Sequence, residues 1–100
     1  MTILFIGDSV TDCGRDRSDP GSLGDGYVAR IAAARPTWTV RNRGISGNRV
    51  RDLRARWQAD CLDLAPSVVS VLIGVNDTWR RYDRDDPTSA EEFGKDYDAI

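Results

Sequence analysis

The sequence predicts a doubly wound α/β domain built on three parallel strands. Two apolar runs, Ile3–Ile6 and Ser67–Val75, read as strands buried on both faces. A third stretch, Thr37–Arg41, alternates polar and apolar residues, as a strand with one wet side does. Helical spacings fill the intervals, so the order is β-α-β-α-β-α, which calls for right-handed crossovers with helices on both faces of the sheet.

The elements follow in order. Ile3–Ile6 is closed by Gly7. Leu23, Tyr27 and Ile31 recur at spacing four, and Pro36 ends that helix. The alternating stretch Thr37–Arg41 is next, expected at a sheet edge. Val50, Leu53, Trp57 and Cys61 form the stripe of a second helix, with Arg51, Arg54 and Arg56 on its other faces and Pro66 beyond it. Ser67–Val75 is too apolar to be left as an edge strand, so further strands are expected to pair there. Trp79–Pro87 (WRRYDRDDP) reads as a charged loop. Ser89 and Glu92 fit a capping box, and Phe93, Tyr97 and Ile100 make the apolar stripe of a last helix. A flavodoxin-like strand order would put the first strand in the middle, with the half-wet second strand at its side.

Bulk properties narrow the function. At 100 residues the chain is one small domain. A net charge of -2, with both signs interspersed, gives no footprint for nucleic acid or an anionic membrane. No stretch approaches transmembrane length, and Ile3–Ile6 is too short for the apolar core of a signal peptide. Cys13 and Cys61 form no disulfide framework and lack zinc spacing, and the chain has no histidine. Two free thiols suit a reducing compartment, so a cytoplasmic location is expected.

Polar stretches follow each strand. They are Gly7-Asp8-Ser9, then Asn42 to Asn48 (NRGISGN), then Gly74 to Asp77 (GVND). Parallel strands bring all three to one rim, where open α/β sheets bind ligands. Ser9 sits on a βα turn, where main-chain N–H groups are free; its hydroxyl can attack a carbonyl while its own N–H faces the oxyanion. Gly47 lets the backbone approach a substrate and offers a second N–H. The Asn76 amide is a third donor. Serine, glycine N–H and asparagine amide together describe acyl transfer through a tetrahedral intermediate.

These three stretches resemble the sequence blocks of the SGNH hydrolases, the GDSL family of esterases and lipases. GDSVTD (Gly7–Asp12) is similar to its first block, NRGISGN to its second, and GVND to its third. The resemblance implies an SGNH-type α/β/α fold and a serine esterase working through an acyl-enzyme intermediate. By position it makes Ser9 the nucleophile, with Ser9 N–H, Gly47 N–H and the Asn76 amide as the oxyanion hole. The family's general base is a histidine in a D-x-x-H block, which this sequence lacks. The expectation is therefore that residues 1–100 are the N-terminal part of a single, longer hydrolase domain and have little esterase activity alone. A small ester is the expected substrate, either a short acyl ester or an acetylated carbohydrate. No cofactor is implied.

Plainer roles stand beside these. Asp8 and Asp12 suit helix caps, and Asn76-Asp77 suits an Asx-turn. Trp57 and Trp38 read as packing residues, and Trp79 as core or groove wall. Arg80 and Arg81 read as a solvated face, with Arg49 nearer the site. Asp19–Tyr27 reads as a loop, with a lid as its alternative. Two other functions compete. Asp8, Asp12 and Asp77 around Mg²⁺ would make a metal-assisted phosphoesterase, and loss of the histidine block would leave a non-catalytic flavodoxin-like binding module.

Overall fold

A computed structural model describes residues 1–83, 86 and 88–100. Its strands are β1 (Thr2–Gly7), β2 (Thr39–Gly44) and β3 (Val68–Leu72). Its α-helices are α1 (Ser9–Asp12), α2 (Tyr27–Ala34), α3 (Val50–Asp60), α4 (Val75–Asp83) and α5 (Ala90–Asp98). The sheet is wholly parallel in the order β2-β1-β3, the doubly wound arrangement expected, with β1 in the middle.

Strand β1 is buried because both of its faces are covered. Ile3 and Phe5 join Val28 of α2 and Val40 of β2 in one cluster, flanked by Leu23, Tyr27, Ile31, Ala32 and Trp38. Phe5 and Tyr27 meet edge to face, with centroids 5.7 Å apart. The alternate residues Leu4 and Ile6 point the other way and are fully buried. On that side α3 contributes buried Val50 and Leu53 and packs against α5. Burying one such side chain fully contributes about 1.5–3 kcal/mol, so β1 anchors the molecule.

Several expectations shift. Strand β2 starts later than Thr37 and runs on through Asn42, Arg43 and Gly44, keeping the alternation of buried and half-buried residues. It extends because the Asn42 side chain is fully satisfied inside the protein. Strand β3 is five residues long rather than nine, and Val75 begins a helix instead of ending the strand. It is also an edge strand among the described residues, with Val68 and Leu72 each 48% exposed. The charged segment after Trp79 is not all loop, because residues 79–83 belong to α4. The remainder of that reading at 84, 85 and 87, and the reading of the Arg81 side chain, lie outside what is described. The last helix begins as expected: Ser89 caps α5, its hydroxyl accepting from Glu92 N–H at 3.1 Å.

Candidate active site

The strand register sets the site. Gly7, at the end of β1, lies abreast of Gly44 on β2 and Leu72 on β3. Ser9, Gly47 and Asn76 each follow within a few residues of that level, on the same rim.

On the first turn, Asp8 is buried and caps α1, its carboxylate accepting from Val10 N–H at 3.0 Å. Ser9 is the first residue of α1 and is exposed, so its main-chain N–H belongs to a helix N-terminus with no intrahelical acceptor. Two glycines let this turn sit against the sheet. A Cβ on Gly44 would collide with the Asp12 main-chain nitrogen, and one on Gly7 would collide with the Leu72 carbonyl.

The second stretch makes a tight turn. Asn48 N–H donates to the Ile45 carbonyl at 3.1 Å, and Gly47 at the third position has φ +86°. That is the position of a type II turn that favours glycine. The turn is bonded to its neighbours on both sides. Ile45 N–H donates to the Gly7 carbonyl at 3.0 Å. Buried Asp12 accepts from Ser46 N–H at 2.9 Å and Ser46 Oγ at 3.1 Å, and from Arg15 N–H at 3.2 Å. From the third stretch, Asn76 Nδ2 donates to the Asn48 carbonyl at 3.0 Å. Buried Asp77 accepts from Val50 N–H at 3.1 Å, tying α4 to the start of α3. The three expected stretches are thus joined through the middle one.

Other residues support this rim. Arg56 donates to the carbonyls of Gly7 (3.2 Å) and Arg43 (2.7 Å), and to the side chains of Asn48 (2.9 Å) and Asp60 (2.9 Å). Burial lowers its pKa, against the opposing pull of Asp60. Asn42 donates to the carbonyls of Thr11 (2.7 Å) and Leu23 (2.9 Å) and accepts from Gly44 N–H (2.8 Å). Sequence spacing missed both roles, since their partners lie far along the chain. Arg49 is buried and bonded to Asp86 at 3.0 Å. Arg80 comes nearer to the turn: its Nη2 lies 3.8 Å from where a Cβ on Gly47 would stand. Trp79 is 56% exposed, so the core reading fails for it, whereas Trp38 packs beneath α2 as expected.

The carboxylates do not favour the magnesium reading. Asp8, Asp12 and Asp77 each accept from main-chain N–H groups at separate places, and no group of three metal-ligating side chains forms among the described residues.

A parallel α/β sheet carrying GDS, SGN and GVND stretches on one rim has the layout of the acyl hydrolases with GDS-type sequence blocks. The profile of the GDSL-like Lipase/Acylhydrolase family matches residues 5–100, and the chain belongs to that family. It is 52% identical over 91 residues to an acetylxylan esterase of Geobacillus stearothermophilus, an alignment covering 81% of this chain and 42% of that one. Among solved structures, an acetylxylan esterase of the same organism shares 44% identity with a TM-score of 0.83, over 96% of this chain and 50% of the other. An α/β hydrolase from the metagenome of Lake Arreo, Spain, shares 41% identity with a TM-score of 0.88, over 97% and 51%. The chain therefore spans about half the length of these relatives.

Proposed function

We propose that this chain is the N-terminal part of a serine esterase that removes acetyl groups from a carbohydrate. Ser9 Oγ is the nucleophile. The Ser9 and Gly47 N–H groups and the Asn76 amide receive the oxyanion of the tetrahedral intermediate. The observation that carries this reading is the bonded rim, in which the Gly47 turn is held to α1 by Asp12 and to α4 by Asn76. Asn76 has one amide hydrogen on Asn48; the second is available to the reacting oxygen. Donors fixed before the reaction need no reorganisation as charge develops, which is where most of their effect arises.

The chain has no histidine to take the Ser9 proton. We place the general base in a D-x-x-H block outside these residues, as the family resemblance implies. The open outer side of β3 and the half-length match to relatives support one longer domain. The acyl-enzyme forms when Ser9 attacks the ester carbonyl and the sugar hydroxyl leaves, and water then releases acetate. Acetylated sugar is preferred as the substrate because two of the relatives reported above are named for acetylxylan. No described helix is long and apolar enough to cross a membrane. The two free cysteines suit a cytoplasmic location.

The test uses the full-length protein with p-nitrophenyl acetate and acetylated xylo-oligosaccharide. Ser9→Ala should lower kcat by about 10⁴-fold or more, and Asn76→Ala by about 10²–10³-fold with little change in KM. Retention of activity in Ser9→Ala would overturn the assignment. A preference for long acyl chains across a p-nitrophenyl ester series would overturn the substrate class alone.

A further inference from the structure

On the β2 edge of the sheet lies a concavity of about 260 Å³ lined by Arg15, Arg17, Pro20, Arg43, Ile45 and Asp60, Ile45 being part of the Gly47 turn. Its three arginines share little opposite charge: Asp12 acts on Arg15 from a distance, without an ion pair. Among the described residues none of the three forms an ion pair, and the one carboxylate of the wall, Asp60, is already paired with Arg56 at 2.9 Å. Arg15 has only its Nε engaged, on the Gly44 carbonyl at 2.7 Å. Arg43 has only Nη1 engaged, on the carbonyls of Pro20 and Asn42, both at 3.0 Å. Arg17 makes no hydrogen bond among the described residues. Guanidinium groups carry five N–H donors each, so most of the donors around this cavity are unused.

Several like charges gathered in a concave, partly desolvated place repel one another, and the cost falls when an anion enters. The pKa of Arg15 reflects this. It is lowered first by burial, against the pull of Asp12, and then by Arg43, Arg56 and Arg17. Two of the walls are also fixed in place. Arg15 and Arg43 are each tied to main-chain carbonyls, so their forks are oriented before any ligand arrives.

We infer that the Arg15–Arg17–Arg43 cavity is a binding site for a compact oxyanion, a carboxylate or phosphate group carried as a free ion or on a small polar molecule. The size fits: the cavity is smaller than the roughly 300–1,000 Å³ of sites for drug-sized ligands. The chemistry fits as well, because planar forks pair with such groups through two parallel bonds. The test of this site requires no turnover, so it can fail or succeed independently of the proposed serine chemistry.

Calorimetric titration of the full chain at low salt, with inorganic phosphate, glucuronate and glucose, decides the matter. Phosphate or glucuronate should bind once per chain, and glucose should not. Tighter phosphate binding identifies a free-ion site, and tighter glucuronate binding an acidic-sugar site. Arg17→Gln and Arg43→Gln should each weaken the anion by roughly tenfold, the effect of losing one charge-assisted contact. Arg17→Gln removes no bond within the protein, so its fold is secure. The inference is overturned if neither anion binds at millimolar concentration, if glucose binds as well as glucuronate, or if both variants keep the parent affinity.

Discussion

A polar side chain with no exposure in the middle of a strand must find every partner inside the protein. Asn42 does so with three main-chain groups drawn from α1, the Leu23 loop and its own strand. Asn42→Leu should lower the unfolding free energy by about 3 kcal/mol, since each orphaned buried group costs about 1–3 kcal/mol. Urea denaturation of the full chain measures it, and Asn42→Asp should be at least as harmful because it turns two donations into repulsions. The two cysteines differ just as sharply. Cys61 is buried and its thiol pKa is pushed up by that burial, so little thiolate forms at neutral pH, while Cys13 is exposed. Iodoacetamide followed by peptide mass spectrometry should find Cys13 labelled first, with Cys61 labelled only on unfolding. At this scale the sequence revealed Ser9, Gly47 and Asn76 as candidates because each sits in a compact local block. Asp12, Asn42 and Arg56 escaped it, because their bonds to Ser46, Thr11 and Gly7 span 34, 31 and 49 positions.

Elements show the same division between local and distant causes. Helix α5 was legible from its capping box, and Ser89→Ala should cost about 1 kcal/mol, read as a lower thermal midpoint. The first helix of the three expected, α2, was legible from Tyr27 and Ile31, while Leu23, read as part of the same stripe, lies in the loop before it. Helix α4 was not, because Val75 reads as the end of the third strand, and the stripe it forms with Trp79 and Tyr82 at helical spacing is exposed rather than packed on the core. Strand β2 was drawn too short, because Asn42 and Arg43 are poor strand formers unless tertiary partners satisfy them. Where β2 ends, packing against α1 leaves no room for a methyl group at Gly44. Gly44→Ala should therefore shift α1 and destabilise the chain by about 1–3 kcal/mol, the usual cost of overpacking. A parallel loss of kcat in the full-length protein would show that the turn carrying the proposed nucleophile Ser9 moves with it.

For the whole molecule, parallel strands followed from the alternation of strands and helices, and the order β2-β1-β3 from a flavodoxin-like arrangement with the half-wet strand at the edge; it was the most legible feature of all. The exposed flank of β3 is its consequence in this chain. Among the described residues no strand covers the outer side of β3, where Val68 and Leu72 stand half-exposed, which is a template for pairing with another copy. The 100-residue chain should self-associate at micromolar concentration, and Leu72→Lys should shift it toward monomer; light scattering after size-exclusion chromatography reads the change.

The guanidinium of Arg56 clasps the ends of two strands and the glycine turn at once. That half of the rim is stapled, and it has no hinge. On the other side, α4 is held to the turn by one hydrogen bond from Asn76 and to α3 by buried Asp77. Loosening either of those two contacts would open the rim from the α4 side before the Arg56 side.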